Sequence, residues 1–524
     1  MGGASATGAR RVSRRALLKA AGAGGLGLAV APALLRSPAI AGAPPPEQVH
    51  LQFGNDAATE MTVSWASTTP VSNPRVLFGT AAGGLGSVVP AEERVYVDGS
   101  SFSPTGTSQV YAYHAALTGL TPGTAYVYQV AQDGAPPLSA GFTTAPRGRH
   151  PFRFTSFGDQ GTGNPADRDS TQFGTYVVPQ IEAARPLFHL INGDLNYANL
   201  NADRVGTWNR FFNNNMPSTL NRPWMPALGN HEVERGNGPQ GYASYLTRYA
   251  LPDNGITGFN HNWYAFTAGS VRVVSVDNND FCLQNGGDIY INGYSGSAQL
   301  TWLDQTLAAA RADDDIDWIV VFMHQLAMSS NLVNGSDLGV REKLLPLFDR
   351  HQVDLVLCGH DHDYERTYAV RGIESASATD RPAVATTRTD VIDTRLGTPH
   401  LCLGGGGAIP VNAAFGPGAS GDSIAPPAGT VIVGPGVNGN APDRVPEFAT
   451  WSAVRDLEYA FGFITVDVDP GRRPADPTTL TVTYQRTALP GATPQPFDRF
   501  VLQRPRSDAP DSADLIAGGT AATA

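Results

Sequence analysis

Two histidines stand two residues apart in Gly359-His360-Asp361-His362-Asp363-Tyr364-Glu365-Arg366. They follow Asp354-Leu355-Val356-Leu357-Cys358, an apolar run of strand length. A short loop after a buried strand can turn both imidazoles to one side, where they can ligate a metal. Four other apolar runs end in the same manner. Phe152–Phe157 leads into Gly158-Asp159-Gln160-Gly161, and Leu187–Ile191 into Gly193-Asp194-Leu195-Asn196-Tyr197. Trp224–Leu228 leads into Gly229-Asn230-His231-Glu232, and Ile319–Met323 ends at His324. The collected set is Asp159, Asp194, Tyr197, Asn230, His324, His360 and His362. Carboxylates, a phenol, an amide oxygen and imidazoles without a thiolate suit iron, zinc or manganese, not a structural zinc knot. Seven ligands exceed the need of one tetrahedral ion. Two ions sharing one carboxylate are the economical reading, and such a pair suits phosphoryl hydrolysis.

These side chains need a scaffold that brings five turns together. Asp159 to Asp194, Asp194 to Asn230 and His324 to His360 are 35, 36 and 36 residues apart, room for a crossover helix and the next strand each time. Strands alternating with helical stretches from Pro151 onward argue for an α/β sheet with its site at the carboxyl ends. Ser297 is placed to cap a helix whose Leu300, Leu303 and Leu307 share a core face. Glu342–Phe348 reads as a further helix, with Pro346 as its kink or stop. The stretch 373–448, rich in Ala, Gly, Pro and Thr, reads as loops with short strands. Leu401–Gly407 within it reads as a strand ending in a glycine turn. Gly462–Val466 and Leu480–Tyr484 read as a closing hairpin. Before all this, from about Val49 to Pro146, the pattern is all β. Met61-Thr62-Val63-Ser64-Trp65 alternates as a half-buried strand does, with Trp65 in the core and His114 structural. Leu120-Thr121-Pro122-Gly123-Thr124-Ala125-Tyr126 resembles the tyrosine corner of fibronectin type III sandwiches.

A chain of 524 residues implies more than one domain. The first 43 residues lie apart from the fold. Ser13-Arg14-Arg15-Ala16-Leu17-Leu18-Lys19, an apolar run from Ala20 to Leu35 and Ala39-Ile40-Ala41 resemble a twin-arginine export signal. The run is short and glycine-rich for a membrane span, so the mature protein is expected to keep no stable span, an uncleaved N-terminal anchor being the alternative reading. The expected partners are the twin-arginine export machinery and a small phosphorylated substrate. The expected location is exported: periplasm, cell wall or outside. The formal net charge is −11, although the leader supplies six positive residues and no acid. So acidic a mature surface repels polyanions and speaks against nucleic acid. Cys282, Cys358 and Cys402 form no disulfide framework; Cys358 and Cys402 read as buried small residues.

The five ordered blocks resemble those of the purple acid phosphatases, a group of calcineurin-like metallophosphoesterases, over roughly residues 48 to 490. The resemblance implies a four-layer α/β sandwich, two mixed β-sheets flanked by helices, after an all-β fibronectin type III-like sandwich. The expected boundaries are a signal at 1–43, the all-β sandwich at 44–147, the catalytic domain at 148–504 and a disordered tail at 505–524. The resemblance assigns Asp159, Tyr197 and His362 to Fe(III), and Asn230, His324 and His360 to a divalent ion (Fe, Zn or Mn). It makes Asp194 the bridge. It implies phosphate monoester hydrolysis by a metal-bound hydroxide. Asn230 and His231 would contact substrate, and His231 would stabilise transition-state charge or protonate the leaving oxygen. Glu365 and Arg366 anchor the loop. One departure stands out. Larger family members carry further histidines after the His324-type ligand, and Gln325–Asn334 has none. Ser330 or Asn331 is then the candidate to bond substrate, with His261 as a more distant one. Phosphodiesterase or phytase-like activity, and a non-catalytic surface binding role, are the alternative readings.

Overall fold

The computed structural model describes residues 42–99, 109–284, 289–409, 428–435, 441–459, 461–487 and 493–509. The leader through residue 41 and the tail from residue 510 therefore lie outside the described residues. No helix among the described residues is long and apolar enough to cross a membrane.

The chain begins with eight strands: β1 Glu47–Phe53, β2 Met61–Ser67, β3 Arg75–Thr80, β4 Ser87–Pro90, β5 Glu92–Val97, β6 Gln109–Leu117, β7 Ala125–Ala131 and β8 Leu138–Thr143. They form two antiparallel sheets, ordered β1-β2-β6-β5 and β4-β3-β7-β8. Trp65 is fully buried, and its indole N–H donates to Gln132 Oε1 at 3.1 Å. The tyrosine corner forms as expected: the Tyr126 hydroxyl accepts the Thr121 N–H at 2.9 Å. β2 differs from the expected alternation, because all seven of its residues are buried. Its inner face packs in the sandwich, while Ala66 on the other face joins Val205 and Ala243 of the following domain. A face that reads as solvent-facing in sequence is therefore an interface.

The rest of the chain supplies β9 Phe152–Phe157, β10 Phe188–Ile191, β11 Trp224–Pro226, β12 Tyr264–Ala268, β13 Val271–Ser275, β14 Trp318–Phe322, β15 Ser336–Asp337, β16 Leu355–Cys358 and β17 Tyr364–Thr367. These are followed by β18 Ala369–Ile373, β19 Pro382–Thr386, β20 Val391–Asp393, β21 His400–Leu403, β22 Ala428–Gly434, β23 Asp443–Phe448, β24 Ser452–Arg455, β25 Gly462–Asp469, β26 Pro477–Arg486 and β27 Gln495–Pro505. Two seven-stranded mixed sheets result, β11-β10-β9-β25-β26-β27-β20 and β12-β13-β14-β16-β21-β17-β24. The expected hairpin, β25 and β26, completes the first sheet by pairing antiparallel with β9. Both faces of the central strands are covered, which is why Trp318–Phe322 is apolar throughout and fully buried. Phe154, Ile464 and Val466 of one sheet share a core with Val320, Leu355 and Leu401 of the other.

The helices are α1 Phe173–Ala184, α2 Arg204–Thr219, α3 Ala243–Arg248, α4 Ala298–Ala312 and α5 Leu338–Arg350, with α2 and α3 also packing on strands of the all-β sandwich. Leu303 and Leu307 of α4 and Leu344 and Phe348 of α5 pack on Val274, Val321 and Val356. The architecture is the four-layer α/β sandwich behind an all-β sandwich. Two helix details depart from expectation. Ser297 makes no capping bond; Ser295 Oγ accepts the Gln299 N–H instead, and Leu300 is only half-buried. α5 begins at Leu338, capped by the Asp337 carboxylate, and runs through Pro346 to Arg350. Pro346 and Glu342, whose carbonyl the proline leaves unpaired, are both exposed, so water satisfies the lost bond.

Candidate metal centre

Every sequence-selected ligand lies just beyond the carboxyl end of a strand. β9, β10 and β11 run parallel in one sheet, and β14 and β16 run parallel in the other. Their turns bring Asp159, Asp194, Asn230, His324 and His360 to one edge of the molecule. The turns are tight. Asp159, Asp194, Tyr197 and His360 all have positive φ, between 51° and 74°. Non-glycine residues rarely accept that conformation, at a cost of about 1–3 kcal/mol each, and they concentrate at functional sites. Glycine is required where the loops touch. A Cβ on Gly359 would sit 2.4 Å from Asp159 Oδ2, and one on Gly404 would sit 2.1 Å from the Asp361 carbonyl. The glycine run after β21 therefore makes room for the ligand loops.

The donor atoms form two close sets. His324 Nε2 lies 3.0 Å from Asp194 Oδ2, 2.9 Å from Asn230 Oδ1 and 3.2 Å from His360 Nδ1. His362 Nε2 lies 3.3 Å from Asp159 Oδ1 and 3.0 Å from the Tyr197 hydroxyl, which is itself 3.3 Å from Asp159 Oδ1. Asp194, His324 and His360 offer donors within 4.8 Å of one another. The geometry thus brings together all seven residues, as one group around Asp194 and another around Asp159.

The far side of each imidazole is held by an oxygen. His324 Nδ1 faces the Asn192 carbonyl at 2.7 Å, His360 Nε2 faces Gln284 Oε1 at 2.8 Å, and His362 Nδ1 faces the Ile409 carbonyl at 2.6 Å. With a proton on each outer nitrogen, the inner nitrogens present lone pairs. Those lone pairs then confront other acceptors at 2.9–3.3 Å. Such crowding is repulsive unless positive charge lies between the groups, either protons on the imidazoles or metal cations in their place.

Electrostatics agree. Burial alone would lower the pKa of His324, but the Asp194 and Asp159 carboxylates outweigh it and raise the value to about 10. Burial likewise opposes the His362 charge, yet its bond to Asp159 and the nearby carboxylates lift it to about 9. Burial and then Asp194 push the Glu232 carboxyl up to about 8. The pocket is an excess of buried negative charge drawing in positive charge.

Other residues here escape a motif reading. Glu232 is buried and accepts three backbone N–H groups, from Asp194 at 2.9 Å, Leu195 at 2.8 Å and Gly229 at 2.8 Å. It ties the β10 turn to the β11 turn. Its place beside Asn230 and His231 was the available signal. Asn199 faces His231 Nδ1 through Oδ1 at 2.9 Å, and Gln284 arrives from a loop with no motif at all. His231 is half-buried, with Nε2 3.9 Å from Asp194 Oδ2. Its own N–H donates to Asp194 Oδ1 at 2.8 Å.

Ser330 and Asn331 do not serve as expected. Ser330 Oγ donates to Glu365 at 2.7 Å and Asn331 Nδ2 to Asp363 at 2.8 Å, so both fasten the His360–His362 loop from beneath. Glu365 and Arg366 are anchors, Arg366 through Asp498 at 2.6 Å. His261 lies elsewhere: its ring meets the Pro252 carbonyl at 3.3 Å and acts electrostatically on His114 of the sandwich. His114 is structural, held by Ser64 and the Thr247 carbonyl.

Residues 46–145 match the profile described as the purple acid phosphatase N-terminal domain, and residues 172–364 match that of the calcineurin-like phosphoesterases. This chain belongs to the purple acid phosphatase family. Six of the seven family ligand positions fall inside the second match; Asp159 lies ahead of it. An uncharacterized protein of Mycobacterium tuberculosis (strain H37Rv) is 47% identical over 508 residues, 93% of each chain. Acid phosphatase type 7 of Mus musculus is 28% identical over 348 residues, covering 62% of this chain and 71% of its own. The fold is similar to that of a purple acid phosphatase from yellow lupin (Lupinus luteus) seeds, TM-score 0.65 at 20% identity, covering 90% of this chain and 76% of the lupin chain. Family membership supports a phosphatase with a dinuclear metal centre.

Proposed function

We propose that this protein is an exported acid phosphatase that hydrolyses phosphate monoesters. Asp159, Tyr197 and His362 would hold Fe(III), Asn230, His324 and His360 a divalent ion of iron, zinc or manganese, and Asp194 both. The observation that carries the reading is the buried cluster of Asp194, His324 and His360, whose donor atoms lie within 4.8 Å of one another while the far nitrogens of both imidazoles face oxygens. When bound, such a pair of ions neutralises phosphate oxygens and makes water a stronger nucleophile.

The chain's own groups supply the rest. Asn199 fixes the His231 ring so that Nε2 points toward Asp194. From there Nε2 can stabilise charge on the phosphoryl group, or, when protonated, give its proton to the leaving oxygen. The Asn230 amide is placed to contact a substrate oxygen. Glu232 keeps the Asp194 and Asn230 turns at fixed separation.

The test combines metal analysis, a visible spectrum and turnover of p-nitrophenyl phosphate. Two metal equivalents and a visible band that Tyr197→Phe abolishes without loss of metal are expected. A colourless, iron-free and fully active protein overturns the iron assignment. Residues 1–43 are proposed as a cleaved twin-arginine signal. Replacing Arg14 and Arg15 with lysine should then block export, and undiminished export refutes the signal.

A further inference from the structure

The segment that follows His324 lacks the family's extra histidines, and the structure shows what it carries instead. Leu332 and Val333, adjacent in the chain, are 41% and 47% exposed. They sit between Asn331, which bonds Asp363, and Asn334, whose Nδ2 donates to the His360 carbonyl at 2.9 Å. Both ends of this short apolar stretch are thus tied to the His360–Asp363 ligand loop. Ile409, 47% exposed, is tied to the same loop, because its carbonyl accepts from His362 Nδ1. Three exposed aliphatic side chains therefore border one ligand-bearing loop from two separate segments.

The charges near the centre make the complementary point. The groups acting most strongly on Asp194, Tyr197, His231, His360 and His362 are the site's own histidines and carboxylates, together with Asp169 and Glu232. No Lys or Arg is among them. Arg168, beside Asp169, and Arg235, four residues after His231, are exposed, while Arg366, four residues after His362, is buried against Asp498. A substrate with several phosphates needs cations beyond the one site that takes the reacting group, and the groups that act on the donors here are acids and imidazoles.

Building on the phosphatase reading above, we propose that the site selects phosphate esters with an apolar alkyl or aryl group, and that Leu332, Val333 and Ile409 take that group. A chain leaving the phosphate would shed water against these side chains, as any apolar surface does.

A series of n-alkyl phosphates from ethyl to octyl tests this on the full-length, metal-loaded protein. Leaving-group basicity is nearly constant along the series, so chemistry does not change while apolar area does. A fully buried methylene is worth about fourfold, so a half-open rim should raise kcat/KM about 1.5- to 2-fold per methylene over the first several carbons. Leu332→Ser combined with Val333→Ser should flatten that slope. Calorimetric titration with the matching n-alkylphosphonates, which cannot turn over, gives the same slope as Kd and serves if the double variant folds poorly. Inositol hexakisphosphate should be a worse substrate than hexyl phosphate. Turnover of p-nitrophenyl phosphate with a flat alkyl series, or a preference for the inositol phosphate, overturns the apolar selection and leaves the phosphatase reading intact. No turnover of any monoester overturns both.

Discussion

His231 offers the sharpest separation between holding the centre together and doing chemistry at it. Its backbone N–H supports Asp194 and would survive truncation of the ring, so His231→Ala should leave metal content unchanged. The ring contributes through Nε2 alone, since Nδ1 is engaged by Asn199. Loss of a positioned general acid or charge-stabilising group typically costs about 10²–10⁴-fold, or about 2.7–5.5 kcal/mol of transition-state stabilisation. Asn199→Ala should cost far less. It removes one hydrogen bond that orients the ring, about 0.5–1.5 kcal/mol, which is about 2- to 12-fold in rate. The assay is steady-state turnover of an alkyl phosphate and of p-nitrophenyl phosphate, with metal content measured on the same samples. A larger loss on the alkyl ester identifies His231 as the acid, because p-nitrophenolate needs little protonation. Equal losses identify charge stabilisation. Full activity of His231→Ala at normal metal content would refute any chemical role. So would an Asn199→Ala loss as great as that of His231→Ala, since the loss would then belong to the loop and not to the ring.

If Asp194 holds both ions as proposed, Asp194→Asn should lower occupancy of both metal sites together; its carboxylate lies 3.0 Å from His324 Nε2, and retention of both metals would refute the bridge. Gly359→Ala should disrupt the centre without altering any donor, since the added Cβ meets Asp159 Oδ2 at 2.4 Å and the Asn192 carbonyl at 2.6 Å. Metal titration should show weakened binding, and wild-type affinity would show that the loops give way. Tyr126→Phe should lower stability by about 0.5–1.5 kcal/mol through loss of the hydroxyl that accepts the Thr121 N–H, with kcat of the folded protein unchanged; thermal unfolding and kinetics on one preparation check it.

The ligand set was legible because metal binding restricts both residue type and position. Each donor had to follow an apolar strand, and only a few residue types can serve there, so Asp159, Asp194, Asn230, His324 and His360 announce themselves locally. The groups that orient them do not. Gln284 meets His360 across 76 residues, and the Asn192 and Ile409 carbonyls belong to backbone, which carries no residue signature. The sheet order was likewise hidden. β25, more than 300 residues downstream of β9, pairs with it through contacts that no local pattern encodes. Ser330 and Asn331 were misread for a related reason: adjacency to a ligand strand says nothing about whether a side chain faces the opening or the loop below it.

The all-β sandwich shows how far a supporting domain can stand from the chemistry and still touch it. Tyr126 closes a corner within the sandwich, and its bond goes no further than Thr121. Tyr96, on β5, behaves differently. Its hydroxyl lies 3.4 Å from Glu234 Oε2, and Glu234 also takes the Trp208 N–H at 2.7 Å and the Asn237 amide at 2.8 Å. Glu234 is three residues beyond His231, on the same loop. The Arg248 guanidinium lies 5.5 Å from the Tyr96 ring and the same distance from that of Trp208, joining both domains in one buried polar cluster. None of these residues reaches a ligand. They fix where the His231 loop leaves the β11 turn, and Glu232 then fixes where it enters. A sandwich that supplies no candidate ligand can therefore still help to set the position of His231.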